Sequence, residues 1–263
     1  EYRLRQEIKK QFEHYLAPAM VKKLQKNPTL LKLGGDTKEL TLLFCDIRGF
    51  TPISEQFKSD PQGLTKLINR FLKGTIDKYM GDCIMAFWNA PLDVDKQRYW
   101  AIQSAHEMLE HLEGLNEELE KENSLPIKVG IGLNTGEVVV GNMGSDQRFD
   151  YSCLGDAVNL AARLEGQSKN YGVEIILGEE TAVNMEKDFA MLELDKIAVK
   201  GKEEAVSIYT TLGQYDIIEH TMNWVLGVKQ HEKFISLYRS QNWEIALKFA
   251  VDLRDEFNGT LTK

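Results

Sequence analysis

The chain has 263 residues, 43% of them apolar, which is enough for a sizeable hydrophobic core and argues against global disorder. A formal net charge of −8 and a pI near 5.3 argue against a protein that holds nucleic acid on a broadly basic surface. Its three cysteines, Cys45, Cys83 and Cys153, lack metal-like spacing and are typical of reduced core residues in a cytosolic chain. No apolar run approaches the roughly 20 residues that span a bilayer, so we expect a soluble chain.

The first 30 residues carry apolar side chains at helical spacing, interrupted at Pro18. They predict an amphipathic helix that either packs on the rest of the chain or carries a signal from an upstream element. The residues Gly34, Gly35 and Asp36 then predict a turn into the first strand.

That strand is an apolar run that ends in a carboxylate, Asp46, and turns through Gly49. Asp46 either caps the next helix or meets a cation, because a lone carboxylate at the end of a hydrophobic strand is costly to hold. The turn offers backbone N–H groups beside a glycine, where phosphate oxygens can approach closely. Together these features indicate a metal–nucleotide site.

A hairpin is predicted at Gly81 and Asp82, which separate two strand-like runs. At this turn the Asp82 carboxylate can face the end of the first strand. Two carboxylates brought together repel each other unless a divalent cation lies between them.

Periodic apolar residues predict a long helix over residues 93–122. His106 and His111 lie five residues apart on it, which is not the spacing of a metal pair, and we expect both at the surface. A strand over 127–135, a turn at Gly136 and a strand over 137–141 predict a second hairpin, followed by a polar loop over 142–150.

The next predicted helix, residues 157–171, carries Asn159 and Arg163 four residues apart and therefore on one face. They are either an exposed polar stripe or an amide and a fork of donors that bind a phosphate. A strand at 174–177 and two final strands near 190–199 and 204–212 follow. Lys200, between the last two, belongs either to a solvated turn or to a phosphate-binding hook.

From residue 214 onward the pattern predicts a helical hairpin with its turn at 240–242. It is similar to one tetratricopeptide-like unit. A single unit of this kind cannot bury its own apolar face, so it must pack on the preceding domain or on a second copy.

Three motifs occur in one order along the chain: FCDIRGFT at 44–51, DKYMGD at 77–82 and GDAVNLAAR at 155–163. With them the chain resembles the class III nucleotidyl cyclases, specifically a bacterial adenylate cyclase catalytic domain, over residues 36–212. The resemblance implies an α+β fold with a ferredoxin-like βαββαβ core and extra strands. Residues 1–35 would form a helical signal-input linker, and residues 213–263 a helical extension.

The resemblance also implies a metal centre and a phosphate-binding turn. Asp46 and Asp82 would bind two divalent cations, Mg²⁺ or Mn²⁺, with the Ile47 carbonyl as a further ligand. The turn formed by Gly49, Phe50 and Thr51 would receive the triphosphate.

The remaining implied contacts concern the base, the ribose and the reacting phosphate. Lys78 and Ser152 match the adenine-reading pair, and the hydroxyl of Ser152 marks a subgroup in a family where aspartate is common at this position. Asn159 and Arg163 match the pair that orients the ribose and stabilises the transition state, and Lys200 matches the lysine that meets the terminal phosphates.

The implied function is conversion of ATP to 3′,5′-cyclic AMP and pyrophosphate in composite sites of a homodimer. Lys78 has only donors, which suits adenine over guanine. The alternatives are a degenerate regulatory module of the same fold and a guanylate cyclase. We expect a cytoplasmic catalytic domain, with an upstream sensor and a membrane tether both compatible with the helical lead-in. One departure from the family is a very short connection between residues 72 and 74, which suggests that a segment is missing there.

Overall fold

A computed structural model of the chain describes residues 33–49, 78–80, 83–145, 148–198, 205–221 and 224–256. The described strands are β1 (Gly34–Arg48), β2 (Lys78–Met80), β3 (Cys83–Trp88), β4 (Lys128–Ser145), β5 (Arg148–Leu154), β6 (Ile175–Gly178), β7 (Phe189–Ile197) and β8 (Val206–Gln214). The described helices are α1 (Gln97–Lys121), α2 (Asp156–Tyr171), α3 (Glu179–Ala182), α4 (Tyr215–Thr221), α5 (Trp224–Arg239) and α6 (Trp243–Glu256).

These strands form one mixed sheet in the order β2-β3-β1-β4-β6-β8-β7, with β5 paired to β4. The β4–β6 pair is parallel and the other pairs are antiparallel. The predicted α+β class is confirmed. The first helix of the predicted βαββαβ order, and the short connection near residue 72, fall on residues 50–77, which lie outside the described part of the chain.

The sheet separates two apolar cores, because side chains alternate between the faces of each strand. On the α1 face, Leu43, Cys45 and Ile47 pack with the long helix α1. On the α2 face, Leu42 and Phe44 pack with Ala161 of α2. The same alternation places Asp46 on the α2 face.

The predicted turn at Gly136 is wrong. β4 continues through this residue, which pairs with Leu40 of β1, and the hairpin instead joins β4 to β5. Gly136 is required for another reason: a Cβ there would lie 2.9 Å from the Ala157 Cβ, so the glycine lets α2 approach the sheet. Most of the predicted polar loop at 142–150 consequently belongs to β4 and β5.

Two further local predictions are corrected. Gly34, Gly35 and Asp36 are not a turn but the first residues of β1, where they pair with residues 140–142 of β4. His106 is partly buried instead of exposed: its ring stacks on Phe189 with centroids 6.0 Å apart. Burial lowers the pKa of His106 to about 4.

The C-terminal helices follow β8 directly. α5 and α6 are joined by residues 240–242, where the sequence predicts a turn. α5 packs on β7: Trp224 and Ile235 are buried, and Arg239 donates hydrogen bonds to both carboxylate oxygens of Glu193. α6 leaves Leu247 69% exposed, so the apolar face of this hairpin is only partly covered within one chain.

No helix in the described ranges is both long enough and apolar enough to cross a membrane.

Candidate active site

Asp46 lies near the end of β1, two residues before the strand stops. Its cross-strand partners are Cys83 of β3 and Gly130 of β4. The side chain is only partly buried, whereas the six strand residues before it, 40–45, are buried. Asp82, the predicted second metal carboxylate, lies outside the described residues, but the residue that follows it in the chain is Cys83. Cys83 itself lies directly opposite Asp46.

The turn after β1 begins at Gly49, whose φ of +67° lies in the left-handed region that favours glycine. An added Cβ at Gly49 would find no heavy atom within 4 Å, so the described surroundings of this turn are open. Phe50, Thr51 and Lys200 lie outside the described residues. Ile47 directs its side chain into the α1 face, where it is 3% exposed.

Glu165 of α2 is a residue that the sequence analysis missed. It is half-buried, and burial, followed by the charge of Asp46, raises the pKa of Glu165 to about 7, while the charge of Arg48 opposes the rise. A signal for Glu165 was present in the sequence: it follows Leu164 and lies four residues after Ala161, on the side of the helix that faces the sheet.

Arg48, which follows Asp46 by two residues, holds the end of β1 to the C-terminal part of α2. Its Nη2 donates to Ser168 Oγ at 3.0 Å and to the Val173 carbonyl oxygen at 2.6 Å. The end of β1 is therefore fixed to the C-terminal part of α2 on the α2 face.

The two predicted adenine-reading positions border one apolar cluster. Lys78 is the first residue of β2 and pairs with Met85 of β3. Ser152, half-buried in β5, lies between Tyr151 and Cys153. Met85 and Cys153 belong to the same buried cluster, and Tyr151 packs against it. The described backbone thus brings both strands to one region of the α2 face.

Asn159 and Arg163 are both exposed on α2, while Leu160, Ala161 and Leu164 are buried beneath them. The helix is bound closely to the sheet because β4 has glycine where it passes underneath. A Cβ at Gly132 would lie 2.2 Å from the Glu165 backbone nitrogen. The sequence-predicted pair therefore projects from a rigid support, away from the core.

The donors near Asp46 suit a hard divalent cation. Carboxylate oxygens are the ligands that Mg²⁺ and Mn²⁺ prefer, and the carboxylates of Asp46 and Glu165 are close enough for the charge of Asp46 to contribute, after burial, to the raised pKa of Glu165. Within the described residues no group of three His, Cys, Asp or Glu side chains is arranged to hold a metal. A complete centre would therefore need Asp82, as the sequence predicts.

Two clefts in the described part of the chain have linings that do not include Asp46, Asn159 or Arg163. One, of about 790 Å³, separates α5 from β7 and is lined by Glu193, His231 and Arg239 among others. The other, of about 660 Å³, lies beside the start of α2 and includes Asp156.

The protein-family model of the adenylate and guanylate cyclase catalytic domain matches residues 35–213 of this sequence. The chain therefore belongs to this family, the class III nucleotidyl cyclase catalytic domains.

Its relatives include cyclases of both purine types. The adenylate cyclase of Anabaena cylindrica is 38% identical over 190 residues, which are 66% of this chain and 36% of that protein. The crystal structure of the adenylyl cyclase CyaB from P. aeruginosa has a TM-score of 0.61 at 34% identity, covering 68% of this chain and 96% of that one. The crystal structure of the guanylyl cyclase Cya2 has a TM-score of 0.59 at 31% sequence identity, covering 69% of this chain and 95% of that one. The chain spans about a third of the length of the curated relatives it matches.

Proposed function

We propose that the chain is an adenylate cyclase that converts ATP to 3′,5′-cyclic AMP and pyrophosphate. The observation that carries the proposal is the placement of Asp46, Asn159 and Arg163 within a domain of the cyclase family. A carboxylate ends the central strand, and an amide and a guanidinium project together from the helix beside it. The 38% identity to an adenylate cyclase supports the same activity.

In this reaction the ribose 3′-oxygen attacks the α-phosphorus in line and pyrophosphate leaves. Arg163 donates to the α-phosphate as negative charge develops there, and a donor of this kind commonly contributes about 10²-fold or more. Asn159 orients the ribose. Gly49, Phe50 and Thr51 donate backbone N–H groups to the triphosphate, and Lys200 pairs with its terminal phosphates.

Two divalent cations are the implied cofactors, and Asp46, Asp82 and the Ile47 carbonyl are the residues that would hold them. When bound, such ions acidify the attacking hydroxyl and neutralise the triphosphate. The chain's own contribution is to present the partly exposed carboxylate of Asp46 near the end of β1.

We propose that the site is shared between two copies of the chain in a homodimer. One copy supplies Asp46 and Asp82, and the other supplies Lys78, Ser152, Asn159 and Arg163. The exposure of Asn159 and Arg163 on α2 supports this arrangement, since it leaves both side chains accessible to a nucleotide held against a second copy. Two equivalent sites follow from the twofold symmetry.

The choice of base is assigned to Lys78 and Ser152. The lysine donates to an acceptor nitrogen of adenine, where guanine carries an N–H donor, and the serine hydroxyl accepts from the adenine amino group. Similarity to a guanylyl cyclase keeps GTP as the second candidate substrate.

The test is an assay of the purified chain with ATP or GTP and Mn²⁺, with the products identified by mass spectrometry. We expect cyclic AMP from ATP and little cyclic GMP. Lys78→Glu replaces a donor with an acceptor and should lower the ratio of kcat/KM for ATP over GTP by about tenfold or more. Predominant cyclic GMP from the unaltered chain would assign a guanylate cyclase, and no product from either nucleotide would leave a regulatory module of the cyclase fold.

We assign catalysis to residues 36–212 and propose that residues 1–35 transmit an upstream signal. Residues 213–263 are proposed to be a helical extension, which the contacts between α5 and β7 support. The parent protein's sensor and membrane tether remain proposals of the same kind, made from the helical lead-in.

A further inference from the structure

We propose that the charge of Glu165 strengthens the binding of a divalent cation that Asp46 holds at the end of β1. This inference rests on the proposed function, because it assumes that Asp46 is a metal ligand. Glu165 contributes its negative charge here and is not a ligand itself.

The first step is geometric. Gly130 is the cross-strand partner of Asp46, and a Cβ at Gly130 would lie 2.7 Å from Glu165 Oε1. Cross-strand partners have Cα atoms about 4.5–5.5 Å apart. The Glu165 carboxylate therefore lies against the backbone of the residue beside Asp46, on the same face of the sheet.

The second step concerns how firmly this carboxylate is held. At Gly132 an added Cβ would meet backbone atoms of α2 at 2.2 and 2.4 Å, so the helix rests directly on β4. Arg48 fixes the same helix to the end of β1 through Ser168 Oγ and the Val173 carbonyl oxygen. Glu165 is thus attached to a support that cannot move away from Asp46 without breaking these contacts.

The third step is electrostatic. The carboxylates of Asp46 and Glu165 lie near each other on the α2 face, and Arg48, whose Nη2 donates to neutral acceptors, offsets only part of their charge. Like charges held together by packing favour a cation between or beside them. Because Glu165 is half-buried, the charge of its ionised form is screened less than that of an exposed carboxylate.

A purely structural role is the competing explanation, in which Glu165 only fills space between α2 and β4. The two roles differ in what Glu165→Gln changes. This variant keeps the shape of the side chain and removes its charge, so a structural role predicts altered stability at most, whereas the electrostatic role predicts weaker cation binding.

The experiment titrates Mn²⁺ into the full chain with 3′-deoxy-ATP, which lacks the attacking hydroxyl, and follows free Mn²⁺ by electron paramagnetic resonance. We expect Asp46→Ala to abolish the tight Mn²⁺ site and Glu165→Gln to raise its Kd roughly 3- to 10-fold. Glu174→Gln, which removes an exposed charge, is the matched control and should leave the Kd unchanged.

A second variant, Glu165→Asp, keeps the charge and should bind Mn²⁺ more tightly than Glu165→Gln, which separates charge from packing if either variant is less stable. The inference would be overturned if the Kd of Glu165→Gln were within twofold of that of the unaltered chain while Asp46→Ala still lacked the tight Mn²⁺ site. That result would leave the proposed function standing. Mn²⁺ binding that is unaffected by Asp46→Ala would overturn both.

Discussion

The two faces of the sheet differ in whether their polar groups have hydrogen-bond partners or like-charged neighbours. On the α1 face, the hydroxyls of Thr41, Thr135 and Thr181 form a chain with 3.0 Å between successive oxygens, so each has a partner. On the α2 face, burial and then the charge of the nearby Asp46 carboxylate raise the pKa of Glu165. Satisfied groups stabilise the fold, whereas like charges held together by packing are costly and are typical of functional sites.

The largest expected effect concerns the α2 face. Arg163→Ala should lower kcat by about 10²-fold or more, since it removes the donor proposed to meet the charge on the α-phosphate. Arg163 is exposed, so the free energy of unfolding should change by no more than about 0.5 kcal/mol. Steady-state assays and urea unfolding measure the two quantities.

Lys169→Ala is the control for that change, because Lys169 is an exposed cation on the same helix, beyond the proposed site. It should retain nearly full activity. Equal losses in the two variants would mean that α2 needs positive charge in general, and the role assigned to Arg163 would be wrong.

A second change tests how closely α2 must lie on the sheet. Gly132→Ala would place a Cβ 2.2 Å from the Glu165 backbone nitrogen, and backbone atoms cannot rotate away. We expect a loss of about 3 kcal/mol in the free energy of unfolding, measured with urea, together with a loss of activity as α2 shifts.

Its matched control is Gly166→Ala, on the exposed side of the same helix, where an added Cβ meets nothing within 4 Å. That variant should gain about 0.5–1 kcal/mol, because alanine favours the helix. A stable, active Gly132→Ala variant would show that the helix and the sheet are not in close contact.

The α1 face predicts an effect of pH on stability. Burial lowers the pKa of His106 to about 4, from about 6.5 in the unfolded chain, so the unfolded chain binds the extra proton first as pH falls. Stability should decline between about pH 6.5 and pH 4. Between pH 7.5 and pH 5, His106 should account for a loss of about 2 kcal/mol, measured by urea unfolding at both values.

His106→Gln removes this titration and should make stability less dependent on pH, even if the variant is less stable at pH 7.5. His111, exposed on the same helix, provides the comparison, and His111→Gln should keep the original dependence. An unchanged acid loss in His106→Gln would refute the assignment to this histidine.

Local patterns in the sequence were sufficient for much of the fold. Apolar periodicity predicted α1 and α2, and the two-residue connection at 81–82 predicted the pairing of Met80 with Cys83 that joins β2 to β3. The exposed placement of Asn159 and Arg163 also followed from helical spacing.

The errors arose where distant residues decide the local structure. Gly136 was interpreted as a turn residue, but it lies within β4, where the absence of a side chain allows Ala157 of α2 to lie close to the sheet. His106 was expected at the surface because its contacts, Phe189 and Thr211, come from strands more than 80 residues away in the sequence. Glu165 was overlooked because its electrostatic environment depends on Asp46, which is distant in the sequence and lies nearby only in the folded chain.

The most direct test of the account is to mix two inactive variants, Asp46→Ala and Arg163→Ala. If each site takes Asp46 from one chain and Arg163 from the other, a mixed dimer has one intact site and one doubly altered site. An equal mixture, in which half of the dimers are mixed, should recover about one quarter of the activity of the unaltered chain. Recovery of no activity, with dimer exchange verified by mass spectrometry, would contradict a site shared between two copies.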